Sequence, residues 1–377
     1  MTGATAIVLE IDPALRAAWR SISLLAAVTP ANASKERARL VACLARGEAP
    51  VPSWEYRRID VTAARRELAR IAARLDDDGA PLASLYAARA RELDVEAALA
   101  GAAGRPAFSA LAAVRFAPFA GATASRARAL AESWTAARDD EATASARASD
   151  GNEASASVLA SDGDDPRSLL ARMRAEVGRL RLPFRVAAHE ELSSLAATGE
   201  AAIFVAAGRP VSDDTARRTV LHEVHGHALP RVRAREAELS LFAMGTARGV
   251  DEQEGLALAL EQRHGFMTPS RKRELAARHL AVSAMRAGAA FPDVARALVR
   301  DHGCSALDAV LVAERAFRGA DGRAPGLGRE IVYLESFVRV SAHLAERPDD
   351  EACLASGQVA LDALAVLRPF AAAAPRA

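Results

Sequence analysis

Leu221-His222-Glu223-Val224-His225-Gly226-His227-Ala228-Leu229-Pro230 is the stretch from which the rest of the chain is read. Three imidazoles and a carboxylate fall within six residues, directly after the apolar pair Val220-Leu221. Imidazole nitrogens suit Zn²⁺, and a glutamate beside the first of them is placed to take a proton from a water that the metal acidifies. Histidines four apart lie roughly 40° from one another on a helix and share a face, but the fourth position after His222 is Gly226. His222 and His227 are roughly 140° apart on an ideal helix. They can share an ion only if the helix loosens between them, which Gly226 permits because it has no Cβ and tolerates unusual backbone angles. His222 and His225, about 60° apart, are the competing pair.

Two histidines and a base do not complete a catalytic zinc site, which takes three protein ligands and keeps one position open. The next acidic cluster, Asp251-Glu252-Gln253-Glu254-Gly255-Leu256-Ala257, opens a helix that runs on through Leu258, Leu260 and Glu261. A carboxylate from it would complete a His, His, Glu set. Glu252 otherwise reads as an acid favourably placed in a helix's first turn. Glu261, seven residues after Glu254, reads as an exposed or salt-bridged side chain, and the single histidines His264, His279, His302 and His343 carry no functional signal.

His222-Glu223-Val224-His225-Gly226-His227 followed by Gln253-Glu254-Gly255-Leu256-Ala257 resembles the tyrosine carboxypeptidase-like metallopeptidases. Bacterial members of that family are described as QEGLA-motif proteins, and animal members remove the C-terminal tyrosine of α-tubulin. The resemblance implies one Zn²⁺ per chain held by His222, His227 and Glu254, with Glu223 as general base. It selects His227 over His225 and Glu254 over Glu252, leaving His225 and Glu252 as candidate supports behind the ligands. It extends to Arg315-Ala316-Phe317-Arg318-Gly319 and Ile331-Val332-Tyr333-Leu334, and near the start to Leu24–Pro30 and Pro52-Ser53-Trp54-Glu55-Tyr56. There are departures. His225-Gly226 stands where the family usually has Gly-Thr, and Val232-Arg233-Ala234-Arg235 replaces an Asn-Gly turn. Gly326-Leu327-Gly328-Arg329-Glu330 replaces a Phe-Thr-Lys-Asp segment, and Gln358 replaces a lysine. Substrate contacts made by those family residues do not carry over.

An enzyme that cuts at a C-terminus must neutralise a carboxylate, and arginine does so with a planar two-pronged hydrogen bond. Arg315 and Arg318 are the candidates, with Tyr333 as a donor to substrate or oxyanion. The expected activity is thus a carboxypeptidase acting on a peptide or protein C-terminus. An endopeptidase or a dedicated peptide-processing protease is the alternative within the class. A non-catalytic, metal-stabilised regulatory protein is the alternative outside it, and manganese, iron or cobalt would accept the same ligands.

The 377 residues suffice for one large domain or two ordinary ones. With 49 basic and 48 acidic residues, nothing points to nucleic acid or an anionic membrane as partner. No apolar run reaches the ~20 residues a membrane helix needs, and Cys43, Cys304 and Cys353 lack metal or disulfide spacing. The expected location is cytoplasmic. Residues 139–165 are rich in Ala, Ser, Asp and Gly, which reads as a flexible linker between an N-terminal helical region (1–138) and a metallopeptidase region (166–377). Residues 54–61, 183–188 and 201–206 read as strands. The motif helix is expected to start at Ser212 or Asp213 and stop at Pro230, and helices are expected over 252–264, 270–287, 291–301, 305–317, 328–346 and 357–369. The fold expected is α+β, predominantly α, with a small sheet beside the metal helix in a gluzincin-like core.

Overall fold

A computed structural model describes residues 3–136 and 157–371. Before the gap lie α1 (Gly3–Ser21), α2 (Leu24–Val28), α3 (Ala33–Ala45), α4 (Thr62–Asp76), α5 (Pro81–Ala102), α6 (Phe108–Arg115) and α7 (Ala122–Ala136). After it come β1 (Val158–Leu159), α8 (Leu169–Arg179), β2 (Arg185–His189), β3 (Ala196–Thr198), β4 (Ala202–Ala206) and β5 (Pro210–Val211). The motif helix then runs without a break through α9 (Asp213–Val220), a π-helical stretch (Leu221–Ala228) and α10 (Leu229–Glu236). Next are α11 (Leu241–Met244), α12 (Gly249–Arg263), α13 (Pro269–Arg286), α14 (Phe291–His302), α15 (Ala306–Phe317) and α16 (Ile331–Glu346), followed by short helical turns to Phe370. The class is α+β and mostly α, as the sequence predicts.

Local chemistry sets several boundaries. Ser168, Ser212, Thr268 and Ser305 each accept a hydrogen bond from the backbone N–H three residues on, capping the helix that follows. Three apolar cores hold the elements together. One joins Leu99, Phe108 and Phe116 to Leu275, Phe291 and Phe317, and a second joins Leu15 and Tyr86 to Phe242, Leu256 and Leu367. Residues from both sides of 139–165 therefore share these two cores. The third packs Met173, Ile203 and Val205 against Val224 and Ala228, so the sheet backs directly onto the π-helical stretch.

In that sheet β4 is central, parallel to β2 and antiparallel to β3, which forms an edge. The strands expected at 183–188 and 201–206 appear as β2 and β4; β3, only three residues long, carried no sequence signal. Of the expected linker, residues 139–156 fall outside the described residues, while Val158 and Leu159 pair with Val211 and Pro210.

Three elements differ from expectation for identifiable reasons. Residues 54–61 form no strand, because their polar groups are met elsewhere: Glu55 bonds Asn32 and Ala31, and the Tyr56 hydroxyl donates to Ala320 and accepts from Gly319. Pro230 does not end the motif helix. It sits in the first turn of α10 after the widened stretch, where a missing N–H is tolerated. The helix expected over 357–369 is instead an extended start followed by short turns. Gln358 N–H donates to Phe242 O, Ala360 N–H to Thr246 Oγ1 and Leu361 N–H to the Glu252 carboxylate.

Candidate metal centre

The π-helical stretch solves the spacing problem posed by His222 and His227. Hydrogen bonds from i to i+5 place residues five apart nearly above one another, and the two Nε2 atoms lie 3.2 Å apart. Gly226 contributes differently from expectation. Its φ is not positive, but a Cβ on it would fall 2.7 Å from the Cβ of Ala257. The glycine therefore lets α12 approach closely, rather than supplying an unusual backbone angle. On the other side of α12, a Cβ on Gly255 would fall 2.5 Å from the backbone of Ser336 in α16. Gly255 and Ala257 thus set helix separations, and Glu254, just before them, reaches the histidines.

Glu254 Oε2 lies 3.4 Å from Nε2 of His222 and 3.4 Å from Nε2 of His227. The three ligand atoms form a triangle with edges of 3.2, 3.4 and 3.4 Å. A tetrahedral ion with bonds of about 2.0–2.1 Å needs edges of about 3.3 Å. The hydrogen bonds behind the triangle fix its polarity. His222 Nδ1 is 2.7 Å from Glu261 Oε1, and His227 Nδ1 is 3.1 Å from Gln253 Oε1. The Gln253 amide nitrogen is spent on Gly357 O, so its oxygen faces the imidazole. Both Nδ1 atoms are therefore donors, and in the neutral rings both Nε2 atoms present lone pairs to each other. Glu254 Oε1 accepts from Arg329 Nη2 at 2.9 Å and from the Tyr333 hydroxyl at 3.3 Å, whereas Oε2 is buried without a hydrogen-bond partner among the described residues. Three acceptors converge on one point, an arrangement that a cation satisfies, so His222, His227 and Glu254 could hold a metal.

Burial opposes charge on His222, but Glu254 and Glu261 raise its imidazole to about 9, so a cation that binds here displaces a proton. Burial opposes the charge on Glu254, yet His227, His222 and Arg329 hold its carboxyl well below the usual range. Burial likewise opposes charge on Glu261, but Arg271 and His222 bring it down to about 2. Burial and the neighbouring Glu254 push the Tyr333 phenol up to about 12, so it stays a donor. Glu223, adjacent to His222, is nearly buried and accepts from the Thr198 hydroxyl at 2.7 Å. His222, Glu223, His227 and Glu254 line one cleft of about 1020 Å³, together with β3, Arg315, Arg318 and Tyr333.

The family model described as microtubule-associated tyrosine carboxypeptidase matches residues 43–373. The chain belongs to that family. Among individually curated proteins, none matches the chain closely enough to count as a relative.

In this member of the microtubule-associated tyrosine carboxypeptidase family, the other sequence-predicted site residues are placed as follows. His225 turns away from the triangle and bonds Glu176 at 2.7 Å. Glu252 is buried against Arg339 and the Leu361 backbone. Arg315 is committed to Glu330 at 2.9–3.0 Å. Arg318 donates to the Ser193 hydroxyl at 3.0 Å, and its Nε is buried without a partner.

Four contributors were not foreseen: Glu261, Arg271, Arg329 and Thr198. Glu261 is 0% exposed and does carry a salt bridge, from Arg271 at 2.8 Å, but it also holds His222. Its place seven residues after Glu254, close to the same helix face, was the available signal. Arg329 lies in the segment that departs from the family pattern, and Thr198 lies on the strand that was not expected.

Proposed function

We propose that this protein is a zinc-dependent carboxypeptidase that removes a C-terminal residue, possible choices including Tyr or Phe, from a peptide or protein. The observation that carries the reading is the triangle of His222 Nε2, His227 Nε2 and the orphaned Glu254 Oε2, with Glu223 next to it. Bound there, Zn²⁺ would acidify a water and polarise the scissile carbonyl. Glu223 then takes the water's proton and delivers it to the leaving amine. Tyr333 donates its one proton to Glu254 Oε1 and so helps keep the third ligand in place; serving developing negative charge requires it to give up that bond.

One feature favours action at a chain end, and a second offers the substrate backbone a place to bind. Arg318 has donor capacity left in the cleft, whereas Arg315 is neutralised by Glu330, so Arg318 is the residue assigned to the substrate carboxylate. The register of β3 on β4 directs Ala197 and Gly199 toward β4 and leaves the backbone groups of Ala196 and Thr198 on the free edge. An extended peptide can pair there.

The test is metal analysis of the purified protein followed by mass spectrometry of peptide digests. Release of single C-terminal residues from free-acid peptides, but not from their C-terminal amides, supports the carboxypeptidase. Internal cleavage of both would replace it with the endopeptidase reading, and stoichiometric metal without any cleavage would leave the non-catalytic one.

A further inference from the structure

We infer that Thr198 is a positioning residue, whose hydroxyl fixes the Glu223 carboxylate and couples it to the edge strand that faces the cleft. The inference rests on Glu223 serving as the general base, and it adds a residue that no sequence motif marks.

The geometry is specific. Thr198 ends β3, and its Oγ1 lies 2.7 Å from Glu223 Oε2 and 3.2 Å from the Glu223 carbonyl oxygen. A hydroxyl has one proton to donate, and the shorter contact, to a carboxylate, takes it. Among the described residues no other group hydrogen-bonds the Glu223 side chain. Without that bond the carboxylate, on two freely rotating carbons, would sample several rotamers. With it, one oxygen is anchored to the sheet while the other stays available to the cleft that Glu223 lines.

Thr198 also joins the two halves of the site by a side-chain hydrogen bond. Its backbone groups lie on the open edge of β3, opposite the ladder with Ile203 of β4. Its side chain reaches across to the motif helix, whose π-helical stretch β3 contacts. A peptide backbone that pairs with the strand edge therefore orders the residue that holds the base. Catalysis at a fixed base orientation gains from this pre-organisation in the turnover step rather than in ground-state binding.

Thr198→Val removes the donor at nearly constant shape, and Thr198→Ser restores it. On a peptide that the unmodified zinc-loaded protein cleaves, T198V is expected to lower kcat roughly 10- to 100-fold, the range for losing a hydrogen bond to a charged group. KM should stay within about twofold and T198S should recover most of the rate. Combining T198V with Glu223→Gln should add nothing to the loss caused by E223Q alone.

A second readout needs no turnover. The carboxylate infrared band of Glu223, identified by its disappearance in E223Q, should shift in T198V and return in T198S, with zinc affinity by chelator competition unchanged. An unshifted band, full activity in T198V, or an additive loss in the double variant overturns the role of Thr198. A protein that cleaves no peptide yet shows the band shift would instead sink the peptidase reading and leave the positioning contact standing.

Discussion

His222 and His227 present their Nε2 atoms to each other at 3.2 Å although five positions separate them in the chain, because the helix between them is wound with i to i+5 hydrogen bonds. Both rings are locked from behind, so in the neutral form their lone pairs converge on the same point as Glu254 Oε2, which has no hydrogen-bond donor among the described residues.

The ligand set and the base separate cleanly by substitution. His222→Ala or Glu254→Ala should release the metal, and Glu223→Gln should retain it while activity falls by roughly 10²- to 10⁴-fold. Elemental analysis after gel filtration, paired with peptide turnover, checks this; stoichiometric zinc in both ligand variants would refute the assignment.

Glu261 should act on affinity more than on chemistry. In Glu261→Gln the His222 ring loses its charged partner, but Arg271 keeps Glu274 at 2.8 Å and the fold survives. Zinc affinity should fall roughly 10- to 100-fold, with turnover largely restored at saturating zinc. Competition against a chromogenic chelator measures the first, and a zinc titration of activity the second.

Gly226→Ala places a methyl 2.7 Å from the Ala257 Cβ, and the two helices must part to admit it. The expected cost is about 1–3 kcal/mol of stability, and weaker metal binding should accompany it because Glu254 rides on the displaced helix. Urea unfolding of the metal-free protein isolates the first effect. An unchanged midpoint and unchanged affinity would show that the approach of the helices is not what demands glycine.

The two cleft arginines should fail in different ways. Arg318→Ala should raise KM for free-acid peptides roughly 10- to 100-fold and leave the melting temperature near its original value. Arg315→Ala leaves buried Glu330 only the longer 3.8 Å pair with Arg278 and should destabilise the fold, by less than the about 3–5 kcal/mol of a buried charge left wholly unpaired. Thermal melts and steady-state kinetics on the pair distinguish substrate recognition from scaffold.

His279 supplies an acid-sensitive term remote from the chemistry. Burial, followed by the nearby Arg286 and Arg128, pushes its imidazole down to about 4, and its Nδ1 has no partner. An unfolded histidine takes up its proton near pH ~6.5, so between those values the unfolded chain binds more protons. Stability contributed above pH ~6.5 is therefore lost on acidification, by about 2 kcal/mol between pH 7.5 and 5. His279→Leu should flatten that part of the curve; identical pH slopes for the two proteins in urea titrations would contradict the shift.

The mostly helical class and the β2 and β4 strands were legible because strong caps and short apolar runs encode them locally. Ser212, for instance, fixes where the motif helix begins whatever follows. The meeting of His222, His227 and Glu254, a contact between helices, was legible only through the resemblance to a known family. What was not legible depends on tertiary contacts. Residues 54–61 have strand-like composition, but their partners are Asn32 and the 319–320 turn, far away in sequence. Likewise Arg329, Thr198 and Arg271 acquire meaning only from the acid that each reaches across the fold, and arginine is too common in this chain to single any of them out. Gly226 was noticed for the right atom and the wrong reason, since the neighbour that needs its missing Cβ sits on another helix.

Counted by length, the motif helix holds one residue more than regular winding needs, and the wide turn absorbs the surplus. His225 is the dispensable member, pointing outward to Glu176. Excising it would leave His222-Glu223-Val224-Gly226-His227, in which ordinary α-winding carries both imidazoles to the same side and Pro230 keeps its station. The rare spelling of this motif helix and the common one thus lie a single deletion apart, and a shortened protein that binds a metal ion as the full-length one does would demonstrate their equivalence.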